Sequence, residues 1–476
     1  MVVTSFLLFL GVFVAIGLSS VRRSRHTKQD YYLASSSVHP ALVGLSAVAT
    51  NNSGYMFIGV IGYTYATGLA VIWIMLGWIL GDFLASLFVH QRLRQATQRS
   101  GEVSYAGVLS HWYKGAPGAQ RRDGLQRLIG VISLVFLLAY ASAQLVAGSK
   151  ALHVLFDWPT WGGAVMGATL VLAYCWAGGI RASIWTDAAQ SVVMITAMGA
   201  MLWVATAALG GVSESLHRMS TVDGFLDWFP KDLVLPGLAG GVLFAISWLF
   251  AGMSVIGQPH IMIRFMALDD PRRMQRARLW YYLWFLAFYA MATGVGMLSR
   301  VYLGDPAAFD AELALPTMAQ QLFPPVLVGL MLAGIFAATL STADSLILSC
   351  SAALTHDVLP QRIESTRAIK WVTALVCMLA LAWALLNRES VFSLVILAWS
   401  ALASAFAPLL LVLCSGRHPG QTLSMIAVIA GLAVSLIWRF AGLHSFMYEG
   451  MPAILVGLLI LLVGQRLWPD RRPASV

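Results

Sequence analysis

The stretch FAATLSTADSLILS, residues 336–349, carries Thr339, Ser341, Thr342, Asp344 and Ser345 within an apolar run that starts near Phe323 and ends near Cys350. Hydroxyl and carboxylate oxygens are what a hard cation takes as ligands, and no His or Cys lies among them for a transition metal. As a helix, the stretch places Ala338, Ser341, Thr342 and Ser345 on one face by i, i+3, i+4, i+7 spacing, with Asp344 flanking it. One or two hydroxyls could simply return hydrogen bonds to their own helix. Polar side chains this dense, in a medium where each unsatisfied group costs several kcal/mol, indicate a face that meets ion, water or protein.

Three other places pair with it. ATNNSG, residues 49–54, interrupts PALVGLSAVATNNSGYMFIGVIGYTYATG. Asn prefers turns and Gly costs about 1 kcal/mol against Ala in a helix, so the segment predicts local unwinding that frees backbone carbonyls and amides. Close helix packing through Ser53 and Gly54 is the plainer alternative. GMSVIGQPH, residues 252–260, breaks a second run. Pro259 removes a helical hydrogen bond, although a proline kink alone is common in membrane helices. In IRASIWTDAAQSVVMI, Asp187 and Gln190 share a face at i, i+3 spacing. Asp187 is either an acid favoured at the positive end of a helix or an intramembrane ion-site residue.

The elements that must hold these residues follow from composition. Of 476 residues, 59% are hydrophobic and 11% charged, against about 25% charged in soluble domains; mean hydropathy is +0.77. The apolar residues gather into runs of about 20, long enough to cross about 30 Å of hydrocarbon, which predicts an all-α polytopic membrane protein and argues against a β-barrel. Thirteen spans, numbered 0 to 12, are expected near 2–20, 40–67, 69–90, 127–152, 162–180, 184–209, 233–258, 278–302, 324–350, 368–387, 390–414, 420–442 and 450–468. The first is read as a retained helix rather than a cleaved signal, because basic residues follow it and none precedes it. The four cysteines are scattered without paired spacing and are read as small core residues.

The net charge of +9 is an orientation signal. With the N-terminus outside, residues 21–39, 91–127, 259–278, 351–370, the tail from 466 and two tight turns at Arg181 and Arg417 face the cytoplasm. They hold all the lysines and arginines except Lys150, Arg218, Lys231, Arg300, Arg388 and Arg439. Spans 1 and 6, the two interrupted ones, open successive five-span blocks, 40–209 and 233–414; spans 11 and 12 follow at 420–468. Interrupted helices at matching places in two halves point to a midplane binding site in an inverted-repeat transporter. The segment DPAAFDAELALPTMAQQLF, from 305, has helical apolar spacing and is read as a surface helix or a plain connecting helix.

Four segments, SAVATNNSGYMFIG, GGIRASIWTDAAQ, GQPHIMIRFMALDD and FAATLSTADSLILSCSAALTHD, resemble in content, order and spacing the sodium:solute symporter family, and most of all its sodium/proline branch. The resemblance covers essentially the whole chain. It implies a LeuT-like fold with spans 1–5 and 6–10 as inverted repeats, and sodium-coupled uptake by alternating access in the plasma membrane. It implies a sodium site at Ala49, Asn52, Ala338, Ser341 and Thr342, and a second sodium site at Asp187, Ser341, Asp344 and Ser345. The solute is expected between the two breaks, at Asn51, Ser53, Gly54, Tyr55, Ala251, Val255 and Gln258. Here the chain departs from its branch. Tyr55 stands where that branch has Trp, and Ala251 and Val255 stand where it has Trp and Tyr, although Trp248 lies one turn earlier. His260 is read as structural.

The expected function is a sodium-coupled symporter importing a small organic solute, an amino acid such as proline or a related compound. A carboxylate, vitamin or sugar acid is the alternative cargo. Sodium is cargo rather than a permanent cofactor; the expected partners are solute, sodium and lipid, with no nucleic acid and no obligate protein. A sensor subunit would need a separate output partner, since the chain ends soon after its last span. An enzyme reading finds no nucleophile elbow, metal-ligand spacing or facing carboxylate pair, and a channel would usually need an oligomeric filter. Proton coupling through Asp187 and Asp344 stays open.

Overall fold

A helix rises about 1.5 Å per residue, so about 20 residues cross the hydrocarbon layer. The protein is seen here as a computed structural model that describes residues 1–114, 122–230, 233, 235–305, 307, 310–359, 361–386, 390–445 and 447–467. Arg121, Lys231, Arg388 and the tail from 468, which entered the orientation argument or closed the last span, lie outside the described residues.

The first half contains α1 (Val2–Ser19), α2 (Lys28–Leu33), α3 (Pro40–Asn51), α4 (Ile61–Thr67), α5 (Ile72–Ser100), α6 (Tyr105–Ser110), α7 (Asp123–Phe156), α8 (Thr160–Ala208) and α9 (Val212–Ser220). The second contains α10 (Gly237–Met253), α11 (Pro259–Met266), α12 (Met274–Leu303), α13 (Ala314–Leu322), α14 (Pro325–Ala352), α15 (Thr366–Leu386), α16 (Val391–Cys414), α17 (Gln421–Phe440) and α18 (Gly450–Leu467). Among the described residues, eleven helical runs are long and apolar enough to cross a membrane, and Pro40–Asn51 is a shorter apolar helix. The sequence predicts thirteen spans. The difference lies at two glycines that join consecutive spans without an intervening coil. Tyr55–Ser100 runs for 46 residues and Thr160–Ala208 for 49, each more than twice what one crossing needs. Each is broken by a left-handed glycine, Gly68 at φ 81° and Gly179 at φ 56°. Gly179 is also held to glycine by space, since a Cβ there would lie 2.4 Å from the Tyr31 carbonyl.

The centre of the bundle is α14 and α16. In their most apolar windows 83% and 89% of residues are buried, against 22–28% for α1, α17 and α18. The peripheral helices turn Leu7, Leu8, Leu375, Met378, Ile426, Ile429 and Leu459 outward, as lipid-facing surfaces do. One end of the bundle collects the basic segments. There Lys28 pairs with Glu364 at 2.9 Å and Arg181 with Asp30 at 2.5 Å. Burial alone would raise the Asp30 carboxyl, but the Arg25 amide, Arg181 and Ser35 all donate to it and hold it below its usual range.

Both interruptions form. His39 caps α3 and Pro40 opens it; the helix ends at Asn51, and a wide π turn, Tyr55–Val60, resumes the span before α4. After α10 a short 3-10 turn, Ser254–Gly257, leads to Gln258 in extended conformation at φ −99°, ψ 100°; Pro259 then opens α11. This corrects one expectation. Residues 259–278 do not form a basic loop from their first residue, because Pro259 at N1 starts a new helix whose residues through Met266 are all buried. α11 returns to the chain that leads into α3 through a two-hydrogen-bond bridge, Val38 N–H to Ala267 O at 3.2 Å and Asp269 N–H to Val38 O at 3.1 Å. The segment from 305 does form a helix, α13, which buries Leu315, Pro316, Met318 and Ala319. Glu312, just before it, pairs with Lys150 at 2.5 Å and accepts the Phe392 N–H at 2.9 Å at the start of α16.

Candidate functional site

α3 ends at Asn51 beside α14, and its last carbonyls meet the hydroxyls of FAATLSTADSLILS. Ser341 Oγ donates within reach of Ala49 O at 3.3 Å and Ala338 O at 3.1 Å. Thr342 Oγ1 does the same toward Thr50 O at 2.9 Å and Ala338 O at 3.1 Å. Three carbonyls and two hydroxyls from two helices therefore converge, an all-oxygen, uncharged cage suited to a hard monovalent or divalent cation. Asn52 donates its Nδ2 and backbone N–H to Val48 O, both at 2.9 Å, while its carbonyl, the atom the resemblance points to, is not among the acceptors of Ser341 and Thr342. Thr50, which the sequence reading passed over, is the residue beside Ala49 that reaches the hydroxyls.

Local chemistry explains why Thr50 O is free. In an unbroken helix the Gly54 N–H would return to it. Instead that N–H donates to Gln144 Oε1 on α7 at 2.8 Å. Gly54 allows the approach, because a Cβ there would sit 2.6 Å from Thr339 Cγ2 and 3.0 Å from Gln144 Oε1. Gln144, an amide in the apolar run AYASAQLVAG, was visible in the sequence as an intramembrane polar residue with no assigned partner.

A second cluster begins on the other side of Thr50. Its hydroxyl lies 3.5 Å from Asp187 Oδ2 and 3.3 Å from Ser345 Oγ. Asp187 and Asp344 come together as the sequence suggested, but around a cation it did not single out. Arg264 of α11 is fully buried. Its Nη2 lies 3.2 Å from Asp187 Oδ2 and 3.8 Å from Asp344 Oδ1, donates to Ser183 Oγ at 2.8 Å and also reaches Ser345 Oγ. Its Nε donates to Ser46 Oγ at 3.2 Å and its Nη1 to His260 O at 2.6 Å. Ser46 donates to Asp187 Oδ2 at 2.6 Å and Ser183 to Asp344 Oδ1 at 2.8 Å. Ser345 Oγ sits 2.9 Å from Asp344 Oδ1 and donates to Ser341 O at 2.5 Å. Gln190 is buried nearby on the same helix as Asp187, and its amide has no hydrogen bond among the described residues.

Between the two breaks, pairwise contacts close a ring. Tyr140 donates to Ser53 Oγ at 3.3 Å and stands edge-on to His260 at 5.4 Å. Gln258 Nε2 donates to Trp399 O at 2.9 Å, and Trp399 Nε1 to Ala251 O at 3.0 Å. Trp399 packs on Trp78 at 5.1 Å, and Trp78 on Tyr55 at 5.6 Å. Ala251 and Val255 are buried and contribute backbone here. The aromatic walls come from Trp78 on α5 and Trp399 on α16. Asn51 Nδ2 leaves the ring, donating to Tyr281 OH at 2.5 Å, and Tyr281 donates to the buried Asp82 at 2.6 Å. Several buried polar atoms have no hydrogen bond among the described residues: Asn51 Oδ1, Tyr55 OH, Gln144 Nε2, Gln258 Oε1 and both His260 ring nitrogens.

Tyr55 also stacks on Phe392 at 5.4 Å, and Phe392 on Tyr63 at 4.9 Å. Above Phe392, away from the basic end, opens a cavity of about 210 Å³ lined by Tyr63, Trp248, Phe392, Arg439, Tyr448 and Glu449. Trp248 therefore stacks on Tyr448 at 6.1 Å and belongs to this vestibule. At the basic end, the buried Glu102 gathers four basic side chains into an ionic latch. Glu102 accepts His356 Nε2–H at 2.8 Å, with Lys114 at 3.3 Å, His111 at 3.7 Å and Arg362 at 3.8 Å. Burial raises the Glu102 carboxyl, but His356 and the other cations outweigh it and push it down to about 2.

Solved structures with this architecture include a Na+-coupled sialic acid symporter in a substrate-bound outward-open state, 17% identical, with a TM-score of 0.81 over 100% of this chain and 99% of that one. Mhp1, a nucleobase-cation-symport-1 transporter in a closed conformation, is 14% identical, with a TM-score of 0.58 over 92% and 94%. The fold is thus LeuT-like and helical. In sequence, the chain is 29% identical to the high-affinity proline transporter PutP of Bacillus subtilis, over 93% of each chain. It is 28% identical to the sodium/proline symporter of Escherichia coli, over 96% of this chain and 91% of that one. The sodium:solute symporter family model matches residues 31–417, and the chain belongs to that family, a family of membrane transporters and not of enzymes.

Proposed function

We propose that the chain imports a small zwitterionic solute, an amino acid of the proline type or a close relative, driven by sodium entering with it. The observation that carries this reading is the uncharged oxygen cage at Ala49, Thr50, Ala338, Ser341 and Thr342, built on the same break that forms one wall of the aromatic ring. Sodium bound there holds the α3 break in shape, so the solute-competent ring is favoured when the ion is bound; coupling is this difference in affinity between states. The solute's apolar body packs against Tyr55, Trp78 and Trp399. Its ammonium meets acceptors such as Gln258 Oε1 and Asn51 Oδ1, and its carboxylate meets donors such as Gln144 Nε2 and Tyr55 OH. Each of these buried atoms otherwise carries an unpaired-group cost of about 1–3 kcal/mol.

With the basic end in the cytoplasm, the N-terminus lies outside and the C-terminus inside a plasma membrane. The solute then arrives through the Phe392 vestibule, and the Glu102 latch must open to release it. The 40–209 and 233–414 blocks act as the inverted repeats that rock about the site. Proteoliposomes with an inward sodium gradient test the reading over a panel of amino acids, carboxylates, sugars and vitamins. Accumulation of an amino acid only with the sodium gradient is expected. Equal accumulation under a proton gradient alone contradicts sodium coupling, and transport confined to another panel class replaces the solute assignment.

A further inference from the structure

We propose that Arg264 is a cation supplied by the protein at the second ion position between α8 and α14, so that the chain binds one sodium where its acidic residues would otherwise call for two. The inference rests on the sodium-symport reading above and goes beyond it by assigning the occupant of the second position.

Geometry comes first. Three of the oxygens that a second ion would use are already engaged by the guanidinium: Asp187 Oδ2 at 3.2 Å, Asp344 Oδ1 at 3.8 Å, and the Ser345 hydroxyl; Asp187 Oδ1 is buried with no hydrogen bond among the described residues. Ser46 and Ser183, which also hydrogen-bond the two acids, give their remaining oxygen capacity to Arg264, at 3.2 and 2.8 Å. Each of these groups is buried. A guanidinium donates from fixed planar positions, so it reaches carboxylates and hydroxyls from three other helices at once, α3, α8 and α14.

Charge balance comes second. With both acids ionised, two carboxylates and one guanidinium leave one negative charge. The cage next door shares Thr50 with the cluster, through its carbonyl to Thr342 and its hydroxyl to Asp187, and takes one monovalent cation. One sodium therefore neutralises the buried set. A second would leave a net positive charge in a low-dielectric interior, where an uncompensated ion is costly.

The placement of Arg264 also gives it a part in the cycle. It stands on α11, which starts afresh at the extended Gln258 and is tied at its far end by the Val38 bridge. Any movement of α11 would have to break these contacts, so the guanidinium holds α11 against α3, α8 and α14 while the neutral cage loads and empties.

Equilibrium binding of sodium-22 to the purified full chain tests this. Wild type is expected to bind one sodium per protein, and R264Q two, because the neutral side chain uncovers both carboxylates; R264K keeps one. The Hill coefficient of sodium-dependent uptake should rise from about 1 in wild type toward 2 in R264Q. Two sodium ions on wild type overturn the proposal and leave sodium symport standing. R264Q binding the same single sodium overturns it as well. No sodium on wild type removes the symport reading itself. Should R264Q fail to fold, the wild-type count decides alone.

Discussion

Two ion-holding regions sit side by side, joined by Thr50, and they are built on opposite principles. The cage at Ala49, Thr50, Ala338, Ser341 and Thr342 is neutral, and its hydroxyls are satisfied by its own carbonyls. The cluster around Arg264 is charged, and its members cannot satisfy one another unless all are present. A neutral cage costs little when no ion is bound, because each hydroxyl falls back on a carbonyl. A charged cluster cannot be emptied so cheaply, since removing one partner strands a buried ion. The difference suits the first region to binding and releasing sodium in every cycle and the second to locking helices.

Disrupting the cluster should therefore have the largest structural effect. In sodium-free buffer, R264M strands Asp187 and Asp344 and should destabilise the protein by about 3–5 kcal/mol, read as a fall in thermal midpoint in detergent. Adding D187N should recover part of that loss; no recovery would mean that charge is not what the arginine supplies.

The cage breaks more gently. Q144L removes the acceptor of the Gly54 N–H, which then returns to Thr50 O and competes with the ion. About 1 kcal/mol of lost ion affinity corresponds to a roughly fivefold higher sodium requirement, measured as half-saturating sodium for uptake with the fold intact. An unchanged requirement would detach Gln144 from the site.

The smallest effect is at the basic end. Because Glu102 sits at about 2, below its ordinary 4.5, its ionised form stabilises the fold. That contribution is complete above about pH 4.5 and is lost as pH falls through about 2. The loss of thermal midpoint caused by E102Q should be present in full at pH 5, where Glu102 is ionised, and should shrink as pH falls below 4.5. A loss that does not shrink below pH 4.5 would contradict the latch as described.

The two regions were also unequally legible in the sequence. Ser341, Thr342 and the break within 49–54 stood out because hydroxyls and asparagines are anomalous in an apolar run. The family resemblance named Ala49 and Ala338, whose contribution is a carbonyl and leaves no side-chain signal. Arg264 was hidden. It lies within a basic stretch that reads as a loop, and only Pro259 starting a new helix carries it inward. The aromatic walls were hidden for another reason. Ala251 and Val255 removed the expected rings from one helix, and Trp78 and Trp399 restored aromatic surface from two others. Substitution across helices of this kind is invisible to position-by-position reading. The count of spans differed where Gly68 and Gly179 turn the chain with no coil to mark it.

The most direct test of the central claim is the sodium dependence of initial uptake in proteoliposomes for wild type, S341A and T342A. Each hydroxyl is a ligand whose loss costs about 1–3 kcal/mol, so half-saturating sodium should rise about fivefold or more in each variant, with solute affinity recovered at saturating sodium. Unchanged sodium dependence in both would contradict the assignment of this cage as the sodium site.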